Sequence, residues 1–218
     1  MFRVFIGFFI IVGAAHLVLL FLGKNIPRNI TKICLLPLLA GAYVSGAKNI
    51  FVPALLALFF GWWGDLFLLK ISDIKFFRLG LGSFLAGHFF YIVTFIFFTN
   101  AINNIALAVS VAAAIPLVFI VHSIIRPKKE LNIPVIVYEI IITLMSLSAL
   151  QLMLSRGDVY GLLVFAGSIC FLLSDTSLGY ITFRTRSKYA SLFVMLSYIA
   201  AQLTIVLGLI GSGPPAAL

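Results

Sequence analysis

The sequence predicts an all-α polytopic membrane protein, a bundle of about eight transmembrane helices, on three observations. Of its 218 residues, 63% are hydrophobic and only 10% charged, against about 45–50% and about 25% in soluble domains. With a mean hydropathy of +1.21, the chain carries more apolar surface than a water-soluble core can absorb. Apolar stretches of about 20 residues, the length a helix needs to cross a hydrocarbon core of roughly 30 Å, follow one another end to end. The basic residues, finally, collect in alternate loops.

The expected spans are residues 2–23, 31–47, 50–70, 79–98, 105–125, 132–154, 159–183 and 189–211. The first resembles a signal peptide in its Arg3 and apolar run. It is too long for one, however, and GKNIPRN offers no small-residue cleavage site. In the second span Pro37 frees a backbone carbonyl near mid-helix, tolerable only inside protein or beside water. Gly41-x-x-x-Ser45 in the same span, and Gly82-x-x-x-Ala86 and Ser83-x-x-x-Gly87 in the fourth, are small-residue spacings that let helices approach closely. Cys34 and Cys170 fall inside spans and read as small apolar packing residues. No linker divides the chain, so residues 1–211 form one transmembrane domain and residues 212–218 a disordered C-terminal tail. The third and seventh spans carry an internal echo, Gly64-Asp65-Leu66-Phe67-Leu68 and Ser174-Asp175-Thr176-Ser177-Leu178. His88 lies 23 residues after Asp65, and Tyr198 lies 23 after Asp175. A weak parallel 4+4 internal repeat would produce this spacing.

The formal charge of +9 is distributed for a membrane and not for nucleic acid. Loops on one side hold Arg3, Lys48 and Arg156. Loops on the other hold all twelve remaining basic residues: Lys24, Arg28, Lys32, Lys70, Lys75, Arg78, Arg126, Lys128, Lys129, Arg184, Arg186 and Lys188. Positive loops face the cytoplasm, which puts both termini away from it, in the inner membrane if the chain is bacterial. The expected partners are the lipid bilayer and a lipid, with no nucleic acid; the oligomeric state is not legible.

Six acids occur in the chain. Asp73, Glu130 and Asp158 sit in loops beside lysine or arginine. Asp65, Glu139 and Asp175 lie within spans, where each costs about 2.5–3.5 kcal/mol near a helix centre. A chain retains such a cost, about 7–10 kcal/mol in total, only if the groups face a polar interior. Counted from the basic loops, all three acids and His16, His88 and His122 fall within roughly 15 Å of one membrane surface. That depth predicts a single polar pocket open toward the inner leaflet. Tyr91 shares a face with His88, and Tyr198 shares one with Gln202. Tyr138 adjoins Glu139, but successive helical residues point about 100° apart. Lys32 enters the second span near the basic surface, as a snorkelling lysine or a ligand-binding one.

Paired carboxylates in a low dielectric suit acid-catalysed hydrolysis of an ether or acetal, one acting as acid and the other as base. A zinc site is the competing chemistry. No HExxH, HxxxH or CxxC spacing is present, so no metal or other cofactor is expected. Neither a glycine-rich phosphate loop nor a G-x-S-x-G elbow occurs. A proton-coupled transporter, which would carry polar groups through both leaflets, and a non-catalytic lipid-binding protein are the alternatives.

The residues singled out also carry a likeness. GWWGDLFLLK at 61–70, FFRLGLGSFLAGHFFYIVTF at 76–95, PVIVYEIIITLM at 134–145, CFLLSDTSLGYITF at 170–183 and SYIAAQ at 197–202 together resemble the YhhN family of lysoplasmalogenase-like membrane proteins. TKICLLP at 31–37 matches more loosely, with Lys32 and Pro37 apart where the family sets its lysine and proline together. The resemblance implies hydrolysis of the vinyl ether of a lysoplasmalogen, or a related lysolipid, to a fatty aldehyde and a glycerophospho head group. On that reading Asp65 and Asp175 are the acid and base, in either order, and His88 orients or shares a proton. Tyr91, Tyr138, Glu139, Ser174, Tyr198 and Gln202 line the pocket, and Lys32 or nearby loop lysines hold the phosphate.

Overall fold

In lipid every backbone N–H and C=O needs a partner within the protein, which leaves a chain of this composition little choice but helices. The computed structural model describes residues 1–185 and 187–213. Among them lie eight α-helices: α1 (Phe2–Phe21), α2 (Asn25–Gly46), α3 (Val52–Leu68), α4 (Ile74–Phe98), α5 (Asn104–Ile125), α6 (Asn132–Arg156), α7 (Val159–Phe183) and α8 (Lys188–Ser212). A single 3₁₀ turn, Lys129–Leu131, leads into α6. Seven of the helices are long and apolar enough to cross a membrane, and α3, with 17 residues, is shorter. The chain is an integral multi-pass membrane protein.

The helix ends differ from the expected spans where polar first turns extend a helix beyond its apolar stretch. Helix α2 begins six residues before 31, and α4 begins five before 79. Hydropathy marks the greasy middle of a helix, whereas capping marks its end. The side chain of Asp73 caps α4 by accepting from Lys75 N at 2.8 Å. Asp158 caps α7 through Gly161 N at 2.8 Å, and Asn103 caps α5 through Ala106 N at 3.0 Å. Two of the three loop acids therefore serve as helix caps. Of the expected tail, Ser212 still belongs to α8, while residues 214–218 lie outside the described residues.

Six helices close a ring in the order α2, α3, α4, α6, α7, α8 and back to α2. Helix α1 packs outside it on α2 and α8, and α5 packs outside it on α6 and α7. The halves α1–α4 and α5–α8 are wired alike: each runs outer helix, then three ring helices, and the halves meet at α4–α6 and α8–α2. The outer helices break the likeness, because α1 leans across to the other half and α5 stays on its own.

Close approach depends on glycine at particular points. A Cβ on Gly87 would lie 3.1 Å from the Ala57 carbonyl oxygen, and one on Gly208 would lie 2.7 Å from that of Tyr160. These positions join α3 to α4 and α7 to α8. Gly82, in contrast, has nothing within 4 Å of where its Cβ would be. Of the two small-residue spacings in α4, therefore, only the one ending at Gly87 is a packing surface. Cys34 is exposed and Cys170 half-buried, and neither is in a disulfide, so Cys34 does not pack the interior as expected. The carbonyl that Pro37 leaves without its helical donor is that of Ile33, and it accepts from the Trp62 indole Nε1 at 3.0 Å. One tryptophan of GWWGD thus closes the backbone gap in the neighbouring helix.

Candidate active site

Each intramembrane aspartate is held by groups from two other ring helices. Asp175, on α7, accepts a hydrogen bond at Oδ2 from the Tyr138 hydroxyl of α6. The same oxygen lies 3.3 Å from His88 Nε2 of α4, and Nε2 also meets the Tyr138 hydroxyl at 2.8 Å. Edge-on packing against Phe171, with ring centroids 4.6 Å apart, fixes the imidazole further. No protein group bonds Asp175 Oδ1 among the described residues, and the side chain keeps 11% of its surface exposed.

Asp65, on α3, has the matching arrangement from the other side of the ring. The Tyr198 hydroxyl of α8 donates to Oδ2 at 2.5 Å. Lys32 of α2 places its ammonium 3.2 Å from Oδ1. Both carboxylate oxygens are engaged, and the residue is 1% exposed. The aspartate of each half is therefore bonded by the residue that lies 23 positions after the aspartate of the other half: Asp65 by Tyr198, Asp175 by His88. Helices α2 and α6, equivalent in the ring, supply the third partner, a lysine in one case and a phenol in the other.

The sequence suggested one polar pocket, and the structure divides it into two. An apolar cleft of about 620 Å³, counting its open side, lies between α4, α5, α6 and α7. Phe77, Leu81, Phe84, Val121, Ile142 and Leu172 supply much of its wall, and Asp175, Tyr138 and Glu139 are its ionisable groups. Lys32 opens instead into a polar basin with His16, Arg28 and Asn29 at the basic end of α1, α2 and α8. Leu68 and Leu178 border both spaces and part them. Phe84 stands perpendicular to Tyr198, with centroids 6.2 Å apart, and so lies between the Asp65 cluster and the cleft. The glycine before Asp65 makes this possible, since a Cβ on Gly64 would fall 2.5 Å from the Phe84 ring.

Several expected pocket residues are committed elsewhere. Tyr91 donates to Gln202 Oε1 at 2.7 Å, a buried α4–α8 pair that does not border the cleft. The Ser174 hydroxyl donates to the Val194 carbonyl at 3.1 Å and ties α7 to α8. For Tyr91 and Gln202 helical spacing gave the correct inward face but not the depth or the neighbour. Lys32 is bound to Asp65, away from the cleft mouth. A neighbouring hollow that shares Phe77 and Phe183 with the cleft, and which we take as its mouth, holds Lys128 and Arg184. The sequence offered loop lysines for the phosphate without singling out Lys128, and Arg184 only as part of a charge count. The three histidines also lie apart. His16 Nδ1 is bonded to Thr31 and to the Arg28 carbonyl. His122, known from the sequence only for its depth, meets Glu139 and Asn132.

Comparison with curated proteins and with solved structures returned no match. The model of the YhhN family matches residues 27–209, which takes in every helix of the ring and both aspartate clusters. The chain belongs to the YhhN family.

Proposed function

We propose that this protein is a membrane-embedded hydrolase that cleaves the vinyl ether of a lysoplasmalogen, or of a related lysolipid, to a fatty aldehyde and a glycerophospho head group. The observation that carries the reading is Asp175: a carboxyl group with one oxygen bonded by Tyr138 and His88 and the other without a partner among the described residues, at the wall of an apolar cleft. Lipid substrates need such a wall, and acid catalysis needs such a group.

In its protonated form Asp175 gives a proton to the β-carbon of the vinyl ether. The double-bond electrons form the new C–H bond, leaving an oxocarbenium ion. Water adds to the cationic carbon and returns a proton to Asp175. The hemiacetal then collapses to aldehyde and free glycerol hydroxyl, so the carboxyl group ends as it began. Tyr138 and His88 position Asp175 through its second oxygen. Asp65, paired with Lys32 and parted from the cleft by Phe84, supports the site from the second polar cluster and does not touch the reacting atoms. On the positive-inside expectation the mouth faces the cytoplasm, and Lys128 and Arg184 there suit a phosphate.

The buried acids and histidines gather at the basic end, and the polar groups buried toward the other end, among them Gln151 and Ser168, are uncharged. This favours a pocket over a transport path. The deciding experiment measures aldehyde released from a lysoplasmalogen by detergent-solubilised protein. Asp175→Asn lowers the rate by about 10²- to 10⁴-fold, the span of general acid catalysis, and Asp65→Asn lowers it less. Wild-type rates in both variants sink the carboxylate mechanism. No release from a panel of lysolipids returns the question to a transporter or a lipid-binding protein.

A further inference from the structure

Glu139 is the second carboxylate of the cleft, and the mechanism above leaves it unused. It is 3% exposed and lines the same space as Asp175 and Tyr138. His122 Nδ1 of α5 meets its Oε2 at 3.0 Å, and Asn132 Oδ1 holds His122 Nε2 at 3.0 Å. A further bond, from the Thr143 hydroxyl to the Glu139 carbonyl at 2.7 Å, fixes the backbone at this turn. Oε2 is thus braced from a second helix, while Oε1 is buried with no protein partner among the described residues. An unpaired buried carboxylate oxygen is costly, and a braced one is positioned to accept from a donor that arrives with a ligand.

The required donor is a hydroxyl, and a lysolipid carries one beside the reacting bond, on the second carbon from the ether oxygen and on the head-group side. Glu139 is seven residues from the basic start of α6, and Asp175 is eight from the basic end of α7. The two carboxyl groups therefore stand at nearly one level, about 10–12 Å in, with Glu139 slightly nearer the mouth. A ligand with its ether at Asp175 and its phosphate at Lys128 and Arg184 passes Glu139 with that hydroxyl. We infer that Glu139, positioned by His122 and Asn132, is the specificity residue that accepts a hydrogen bond from the free sn-2 hydroxyl and so selects lysolipids over sn-2-substituted lipids. The inference rests on the lysolipid reading above. Its physical basis is general: a site built to bond a hydroxyl rejects the analogue that lacks it, because the buried acceptor is left unpaired.

The test is binding, so that it does not depend on turnover. The probes are a 1-O-alkyl-glycerophosphocholine with a free sn-2 hydroxyl and the same lipid with that hydroxyl methylated, both saturated ethers without the vinyl group. Affinities are read by displacement of a fluorescent lysolipid from nanodisc-embedded protein. The wild type binds the free hydroxyl about 10- to 100-fold more tightly, as one charge-assisted hydrogen bond supplies. In Glu139→Gln the amide oxygen turns to His122 and its NH₂ faces the cleft, where hydroxyl and methoxy oxygens both accept. The preference then falls to about twofold or less with side-chain shape retained. Glu139→Leu, which has no polar group, removes it too. Equal affinity of the wild type for both lipids overturns the inference and identifies the donor at Oε1 as water, which serves either ligand. An undiminished preference in both variants, or an equal loss of both ligands, overturns it also. Aldehyde release measured in parallel separates the two ideas. Release without the preference sinks this inference alone, and the preference without release sinks the hydrolase reading alone.

Discussion

Replacing Lys32 with methionine keeps the length and apolar stem of the side chain and removes only the ammonium. Asp65 then retains the Tyr198 hydroxyl but has nothing at Oδ1, in a site that is 1% exposed. Breaking a buried ion pair by removing one partner costs about 3–5 kcal/mol. Lys32 keeps 17% of its side-chain surface exposed toward the basin, so water reaches the vacated position and the lower figure, about 3 kcal/mol, applies. At about 2–4 °C per kcal/mol for a chain of this size, the midpoint falls by about 6–12 °C. Thermal unfolding in one detergent, followed by light scattering, measures it. The double variant Lys32→Met/Asp65→Asn melts close to Asp65→Asn alone, since the neutral amide no longer needs a cation. A Lys32→Met midpoint within about 2 °C of wild type refutes the reasoning, as does a double variant whose two losses simply add.

Three further outcomes follow from named contacts. Trp62→Phe leaves the Ile33 carbonyl beside Pro37 without its donor and lowers the midpoint by about 2–4 °C, the equivalent of about 1 kcal/mol; replacing Pro37 with alanine in the same chain restores the helical donor and most of the loss. Gly208→Leu forces a side chain into space where a Cβ already meets Val164 at 2.6 Å and the Tyr160 carbonyl at 2.7 Å, so the folded yield on size-exclusion chromatography collapses, whereas Gly82→Leu leaves it unchanged. Lys128→Gln with Arg184→Gln raises KM for a lysolipid about tenfold at nearly constant kcat, because the head group is held equally in ground and transition states; an equal fall in kcat refutes their place at the mouth.

The bundle was legible because lipid imposes it. Twenty-residue apolar runs admit few structures other than helices, and loop charge fixes their alternation. The inward faces were legible too, since Asp65, His88, Glu139 and Gln202 are buried as their cost in lipid requires. What the sequence does not carry is lateral order around the ring. Helical periodicity tells which way a side chain points, not which helix stands opposite. Tyr91 and Gln202 therefore passed for pocket residues when they bond one another, and Ser174 passed for one when its hydroxyl meets the α8 backbone. Arg184 was counted for topology alone, and Lys128 was not singled out from the loop lysines offered for the phosphate, because only the fold brings both beside Phe77 and Phe183. His122 was visible only as a histidine of the right depth, and nothing in its neighbours along the chain points to Glu139, seventeen residues on.

The internal echo explains why two aspartates so alike in sequence have different work. Each sits on the equivalent ring helix and takes a hydrogen bond from the equivalent helix of the opposite half. A fully symmetric pair would give two identical carboxyl groups, whereas in the proposed mechanism only Asp175 exchanges a proton with the substrate. The difference enters at the third partner. On α2 it is Lys32, whose ammonium lies 3.2 Å from Asp65 Oδ1, so that with Tyr198 at Oδ2 both oxygens are engaged. On α6 it is Tyr138, a neutral donor that binds one oxygen of Asp175 and leaves the other to the cleft. Exchanging the third partners moves the cation from Asp65 to Asp175, while Asp65 stays parted from the cleft. A protein with Lys32→Tyr and Tyr138→Lys would pair Asp175 with an ammonium, and aldehyde release would fall as far as in Asp175→Asn although both aspartates remain. Activity retained in that exchange would mean that the asymmetry lies elsewhere than in these two side chains.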